Sequence, residues 1–232
     1  MSVFFQLLRL DVMLQIRSGF WIAAVFIMLP WLGVLWPLTQ ERANFVTPAM
    51  IFLDISLTGT MLMAGSYFFQ RREGSLYALV ISPMKTWHWI GSKVVSLTAI
   101  CMVMCVILVA FKSGLSASWG PILLACLCIN VQFALLGFLL AVPFEKFTSF
   151  MVANSLVFGL LEVPALAFFN IETPLYWLWP SHPSLLLLRG AFHGAPVLHM
   201  LGYLAAQLAW TALFAWLSLR WFHRYISARQ GG

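Results

Sequence analysis

The chain has 232 residues, of which 62% are apolar and only 9% charged, and its formal net charge is +6. A water-exposed globule carries roughly 25% charged residues, so a soluble enzyme is excluded for want of a polar surface. Disorder is excluded as well, because 20 Phe and 11 Trp are far more than a solvated chain tolerates.

The first nineteen residues read as a helix lying along lipid headgroups rather than as a cleaved leader, since apolar residues begin at Val3 with no basic stretch ahead of them. At about 100° per residue, Ser2, Gln6, Arg9 and Arg17 fall on one side and Phe5, Leu8, Val12 and Ile16 broadly opposite. Asp11 and Gln15 interrupt the apolar side. Two readings stand: an ordinary amphipathic cap, or a helix whose Asp11 meets a protein partner.

Six apolar runs then reach the roughly 20 residues that a helix needs to cross the hydrocarbon. They are Phe20 to Leu38, Pro48 to Phe69, Trp87 to Phe111, Trp119 to Val142, Phe147 to Phe169 and Pro196 to Phe222. Barrel strands would alternate in polarity, whereas Val94 to Phe111 is broken only by Ser96 and Thr98, so the spans are predicted to be helices. Six spans place both termini on one side. With that side cytoplasmic, Arg9, Arg17, Arg71, Arg72, Lys85, Lys93, Lys146, Arg220, Arg224 and Arg229 lie inside, and Arg42, Lys112 and Arg189 outside, as retention of basic loops requires. The positive charge is thus a topology signal. No basic stretch is long enough to follow a nucleic-acid backbone.

Between the second and third spans, Arg71 to Met84 reads RREGSLYALVISPM. Leu76, Leu79 and Val80 recur at helical spacing and Pro83 stops the pattern, which predicts a short amphipathic helix. Ser75 is a candidate N-cap, and Glu73 sits where the helix dipole favours negative charge. Such a helix either docks into a partner's groove or is a solvated connector.

Two carboxylates fall within predicted spans, Asp54 in the second and Glu162 in the fifth. Groups of this kind normally face a bundle interior, a partner or a cavity. Asp54 follows Pro48 by only six residues, which suggests a position near the outer interface. Glu162 precedes Pro164 by two residues, and the proline frees a carbonyl for some other donor. From Asn170 to Pro196 the chain carries Pro174, Pro180 and Pro183, the belt-type aromatics Tyr176, Trp177 and Trp179, and His182 and His193. An apolar run from Leu185 to Leu188 suits a hairpin dipping into the membrane. Ligation of a metal or haem by His182, His193 and His199 with Glu172 matches no known spacing, so no metal site is expected. Cys101, Cys105, Cys126 and Cys128 all lie in apolar runs and read as packing residues. No set of serine, histidine and acid suggests nucleophilic catalysis, and no phosphate-binding loop is present: Gly91-Ser92-Lys93 lacks the upstream glycine.

An N-terminal amphipathic helix, six spans and the REGSLYALVISPM loop together resemble the membrane subunit of a type-2 ATP-binding-cassette exporter, whose loop typically has an RxGTLExLLxSP-like pattern. The segments LRLDVMLQIRSGF, Leu8 to Phe20, and FLDISLTGTMLMAG, Phe52 to Gly65, are similar to those of small fluoroquinolone or multidrug exporter permeases. Ser75 stands for the usual Thr and Tyr77 for the usual Glu. The resemblance implies one all-α transmembrane domain over 1–232. Its parts are a connecting helix (1–19), spans 1 and 2 (20–69), a coupling-helix loop (70–86), spans 3 and 4 (87–142), spans 5 and 6 (147–222) around a re-entrant external segment (170–196), and a cytoplasmic tail (223–232). It also implies that Arg71, Arg72, Glu73, Gly74, Ser75, Leu76, Leu79, Val80 and Pro83 engage a separate ATPase subunit that holds ATP and Mg. Two copies of the chain would form a 2:2 complex in the inner or plasma membrane. The family's second and fifth helices line the path, which makes Asp54, Asn154 and Glu162 candidates for contacting cargo, and its re-entrant helices form an outer gate, here Trp177, Trp179 and His182. The expected function is ATP-driven export of a lipophilic or amphipathic drug-like molecule by a chain with no enzyme site of its own. The alternatives are a haem-export subunit for cytochrome c maturation and an ion-coupled carrier.

Overall fold

The computed structural model describes residues 3–75, 85–114, 117–169, 171, 173–222 and 224. These are helical throughout their length apart from turns, with no strand among them. In chain order the helices are α1 (Val3–Arg17), α2 (Phe20–Leu35), α3 (Gln40–Arg72), α4 (Thr86–Ser113), α5 (Trp119–Ala141) and α6 (Phe147–Leu161). Two 3₁₀ segments follow, Val163–Phe169 and Pro174–Leu178, then α7 (Ser181–His193) and α8 (Val197–Phe222).

Five stretches among the described residues are long and apolar enough to cross a membrane: Arg42–Arg72, Thr86–Lys112, Trp119–Ala141, Phe147–Ala167 and Val197–Phe222. The expected first span, Phe20 to Leu38, is only 16 residues of helix, about 24 Å at 1.5 Å per residue, and falls short of a roughly 30 Å hydrocarbon layer. It qualifies only together with α1, from which it is bent by 62°. The bend is made at Gly19, whose φ of 75° is a conformation that a side chain would oppose.

The second span also differs from its expected bounds. Helix α3 begins at Gln40, eight residues ahead of Pro48, and encloses that proline. The apolar run marked only the part suited to lipid, while the polar Gln40-Glu41-Arg42 turn continues the same helix beyond it. Asp54 is therefore fourteen residues past the helix start, about 21 Å along it, and not near an end.

The centre of the molecule is the seam between α3 and α5. A Cβ placed on Gly137 of α5 would collide with the carbonyl oxygen and the Cα of Thr60, so the two backbones approach as only a glycine permits. A Cβ on Gly59 would meet the Asn130 side chain at 2.9 Å. Aromatic rings close the seam above and below, with Phe52 edge-on to Phe133 at 6.1 Å and Tyr67 edge-on to Phe138 at 5.8 Å. Helix α4 packs beside this pair, where the buried thiols of Cys105 and Cys126 lie 2.8 Å apart. In contrast α6 and α8 leave most of their apolar surface open, including Val152, Leu156 and Leu160. In lipid such a surface needs no further cover.

Candidate functional site

The three residues considered for a cargo path do not share one chamber. Asp54 is 1% exposed, and neither carboxylate oxygen has an aligned hydrogen-bond partner. Its neighbours are Trp31 of α2, Thr58 and Cys101 of α4. Glu162 terminates α6, and its oxygens are likewise buried without an aligned partner, beside Ser56 of α3. Residues 54 and 56 lie about 200° apart around a helix, so the two acids occupy opposite sides of α3. Asn154 is two turns before Glu162 on the inward side of α6, 1% exposed, with both amide atoms unpartnered. Asn154 and Glu162 thus share α6, eight residues apart, whereas Asp54 lies on α3 facing α2 and α4.

Directly after Glu162 the helix changes character. Pro164 has no N–H for the Leu160 carbonyl, and the Ala165 amide bonds Glu162 at 2.8 Å in a 3₁₀ turn, which releases the Leu161 carbonyl. Both freed oxygens are taken by the segment leading into α7. The Trp179 indole N–H donates to Leu160 at 2.7 Å, and the Ser181 hydroxyl donates to Leu161. The sequence pointed to a freed carbonyl at Pro164 but not to its donor.

Helix α7 is held by side-chain amides from two long helices. Gln132, thirteen residues into α5, donates to the Pro180 carbonyl at 2.8 Å. Ser184 donates to Gln207 at 2.5 Å, and Gln207, ten residues into α8, donates to the Cys128 carbonyl at 3.3 Å. His182 is buried, with the Trp177 ring edge-on at 5.2 Å and Tyr176 at 5.7 Å. These rings, with Arg189, line a hollow of about 350 Å³ at this end of the molecule. Trp177 and His182 therefore meet, whereas Trp179 is committed to the broken helix.

At the other end lies a polar network that sequence reading did not assemble. Lys93 is 1% exposed and pairs with Asp11 at 2.8 Å. Ser92 donates to the second Asp11 oxygen at 2.6 Å, and Lys93 also donates to Ser66 at 3.2 Å. Trp89 donates to Gln70 at 3.1 Å, and Gln15 to Ser96 at 2.7 Å. Asp11 and Gln15 are the buried residues of α1, while Phe5, Leu10, Met13 and Ile16 point outward. Its two buried residues are thus polar, while Gln6, Arg9 and Arg17 remain exposed beside the outward apolar side chains. Asp11 does meet a protein group, but within its own chain. Lys93, expected on the cytoplasmic side, is likewise a buried partner. The signal was present as Asp11 and Gln15 one turn apart, opposite Ser92, Lys93 and Ser96 at i, i+1 and i+4.

Of the loop expected to engage an ATPase, Arg71 to Ser75 are described; Leu76, Leu79, Val80 and Pro83 lie outside the described residues. Gly74, with φ of 73°, ends α3, and the Ser75 hydroxyl donates back to Gln70 at 3.0 Å. Arg71 donates to the Phe144 carbonyl at 2.7 Å, which ties this end to the turn before α6. Arg72 and Glu73 are exposed. Among the described residues no cluster of His, Cys, Asp or Glu is arranged to hold a metal.

The sequence matches the model of the fluoroquinolones export permease protein family over residues 2–230. Fluoroquinolones export permease proteins from Mycobacterium tuberculosis strains CDC 1551 / Oshkosh and ATCC 25618 / H37Rv are each 29% identical over 187 residues. The matched region covers 80% of this chain and 79% of each relative.

Proposed function

Because the chain belongs to the fluoroquinolones export permease protein family, we propose that it is the membrane subunit of an ATP-driven drug exporter. It carries no phosphate-binding loop, so a separate ATPase subunit binds ATP and Mg and supplies the energy. Two copies of the chain enclose the path, with both termini in the cytoplasm of the inner or plasma membrane. The observation that carries this reading is the family match along nearly the whole chain.

Arg71 to Pro83 is the docking segment. Arg72 and Glu73 are exposed at the end of α3, where charge-assisted hydrogen bonds to a partner would hold register. Nucleotide binding closes the ATPases, and the docked segment biases the bundle between two arrangements of the path. Arg71 supports this coupling because its bond to Phe144 links the docking end to the start of α6, the helix that carries Asn154 and Glu162. Those two residues meet a cationic or zwitterionic cargo. The α7 segment acts as a re-entrant outer gate, a reading supported by its bonds to residues ten and thirteen positions into α8 and α5.

The test is co-purification with the ATPase subunit, followed by ATP hydrolysis and drug accumulation in liposomes. Stimulated hydrolysis with accumulation is expected, and Glu73→Lys should abolish both while leaving the permease folded. Export unchanged in Glu73→Lys would remove the docking assignment. An ion-coupled carrier is the second reading, favoured by the unpartnered oxygens of Asp54 and Glu162. Uptake driven by an ion gradient without ATP would establish it instead.

A further inference from the structure

At the Arg72 end of the bundle, α1 stands away from α3 and α6 and leaves a cavity of about 650 Å³. Its walls are Phe20, Phe68, Phe69 and Phe147, and two guanidinium groups, Arg17 and Arg72, line it as well. One carboxylate, Glu73, also borders it, so the lining is net positive. Neither Arg17 nor Arg72 has an ion-pair partner among the described residues, where the buried pair joins Lys93 to Asp11. The volume lies within the roughly 300–1,000 Å³ of small-molecule sites.

We infer that this cavity binds the headgroup of an anionic glycerophospholipid, its phosphodiester between Arg17 and Arg72 and its first acyl carbons against the phenylalanines. Two observations and one general rule favour a lipid over a soluble anion. The cavity joins the ends of α1, α3 and α6 at the level where basic residues gather, which is where headgroups lie. It opens beside the apolar outer surfaces of α1 and α6, including Ile16 and Met151, along which acyl chains can continue. Basic pockets between spanning helices at this level suit anionic headgroups, and guanidinium groups match phosphate geometry. A bound lipid would fill the wedge between the connecting helix and the bundle without displacing the Asp11 network behind it. The site shares Arg72 and Glu73 with the proposed docking end, so lipid binding is measured on the chain without an ATPase subunit.

The experiment titrates the purified full-length chain with phosphatidylglycerol or phosphatidylcholine of identical acyl chains and reads bound lipid by native mass spectrometry. The wild type should prefer phosphatidylglycerol, and Arg17→Gln with Arg72→Gln should lower that preference roughly thirty-fold, at about 1 kcal/mol for each cation. Gly65→Leu provides a second test that leaves charge intact. A Cβ at Gly65 would meet the Phe20 ring at 3.7 Å, so a longer side chain grows into the cavity without a backbone clash and should also abolish the preference. Arg9→Gln, which removes one charge from the same helix outside the cavity, should change nothing. Equal binding of the two lipids by the wild type overturns the proposal, as does an Arg9→Gln loss as large as that of the double variant. Cavity-dependent binding of an aromatic carboxylate with no lipid preference would overturn it too, in favour of a cargo site. The assay contains no ATPase, so its failure leaves the exporter reading standing.

Discussion

The indole of Trp179 donates to the carbonyl of Leu160, the oxygen that Pro164 leaves without its helical partner. A break in a membrane helix is tolerable only where some group replaces the missing amide. Trp179→Phe removes that donor and should destabilise the chain by about 1–3 kcal/mol. Pro164→Ala restores an amide to position 164, so in that background the same substitution should cost much less. Thermal unfolding of the four variants in detergent gives the coupling between the two sites.

Asp11 and Lys93 form a buried pair whose members depend on each other. Asp11→Ala alone should cost about 3–5 kcal/mol, because it leaves an ammonium buried among Ser66, Ser92 and Trp89 without its counter-charge. Combining Asp11→Leu with Lys93→Met should recover most of that loss, as read by the unfolding midpoint. A double variant as unstable as the single one would mean that the pair contributes more than mutual neutralisation.

Gly137→Ala places a methyl group against the backbone of Thr60 and must push α3 and α5 apart. Overpacking of this kind costs about 1–3 kcal/mol. Gly33→Ala, where an added Cβ meets nothing within 4 Å, should be silent or slightly stabilising in the same unfolding assay.

The two buried acids should respond differently because they lie on opposite sides of α3. Glu162→Gln should reduce export of a cationic drug about tenfold and leave a neutral drug unaffected, since one charge-assisted contact is lost. Asp54→Asn should leave selectivity unchanged and raise stability by about 1 kcal/mol, because an unpartnered buried carboxylate becomes a neutral amide beside Trp31 and Thr58. Transport by the two variants with drugs of each charge separates the cases.

The spans were legible because lipid imposes a length and a polarity that composition alone displays, and α4 and α5 fall within two residues of their expected ends. The helix ends were less legible. Gln40 extends α3 past the apolar run, and Leu161 ends α6 within one, because backbone hydrogen bonding, not hydropathy, decides where a helix stops. Asp54 and Glu162 were identified as unusual from position alone. Their separation was not, since it depends on which side of α3 each neighbouring helix approaches. Pairings such as Lys93 with Asp11 or Ser184 with Gln207 join residues 82 and 23 positions apart, and periodicity within one helix carries no record of its neighbour.

The Asp11–Lys93 pair also constrains how the chain can be made. During synthesis the carboxylate leaves the ribosome 82 residues ahead of its ammonium mate. Either charge buried in the bundle without the other costs about 3–5 kcal/mol, so α1 must linger near the phosphates until the third hydrophobic stretch is inserted. The first helix translated then docks only after α4 has been made. An N-terminal fusion that holds it away would strand the lysine in oil and hand the nascent protein to quality control.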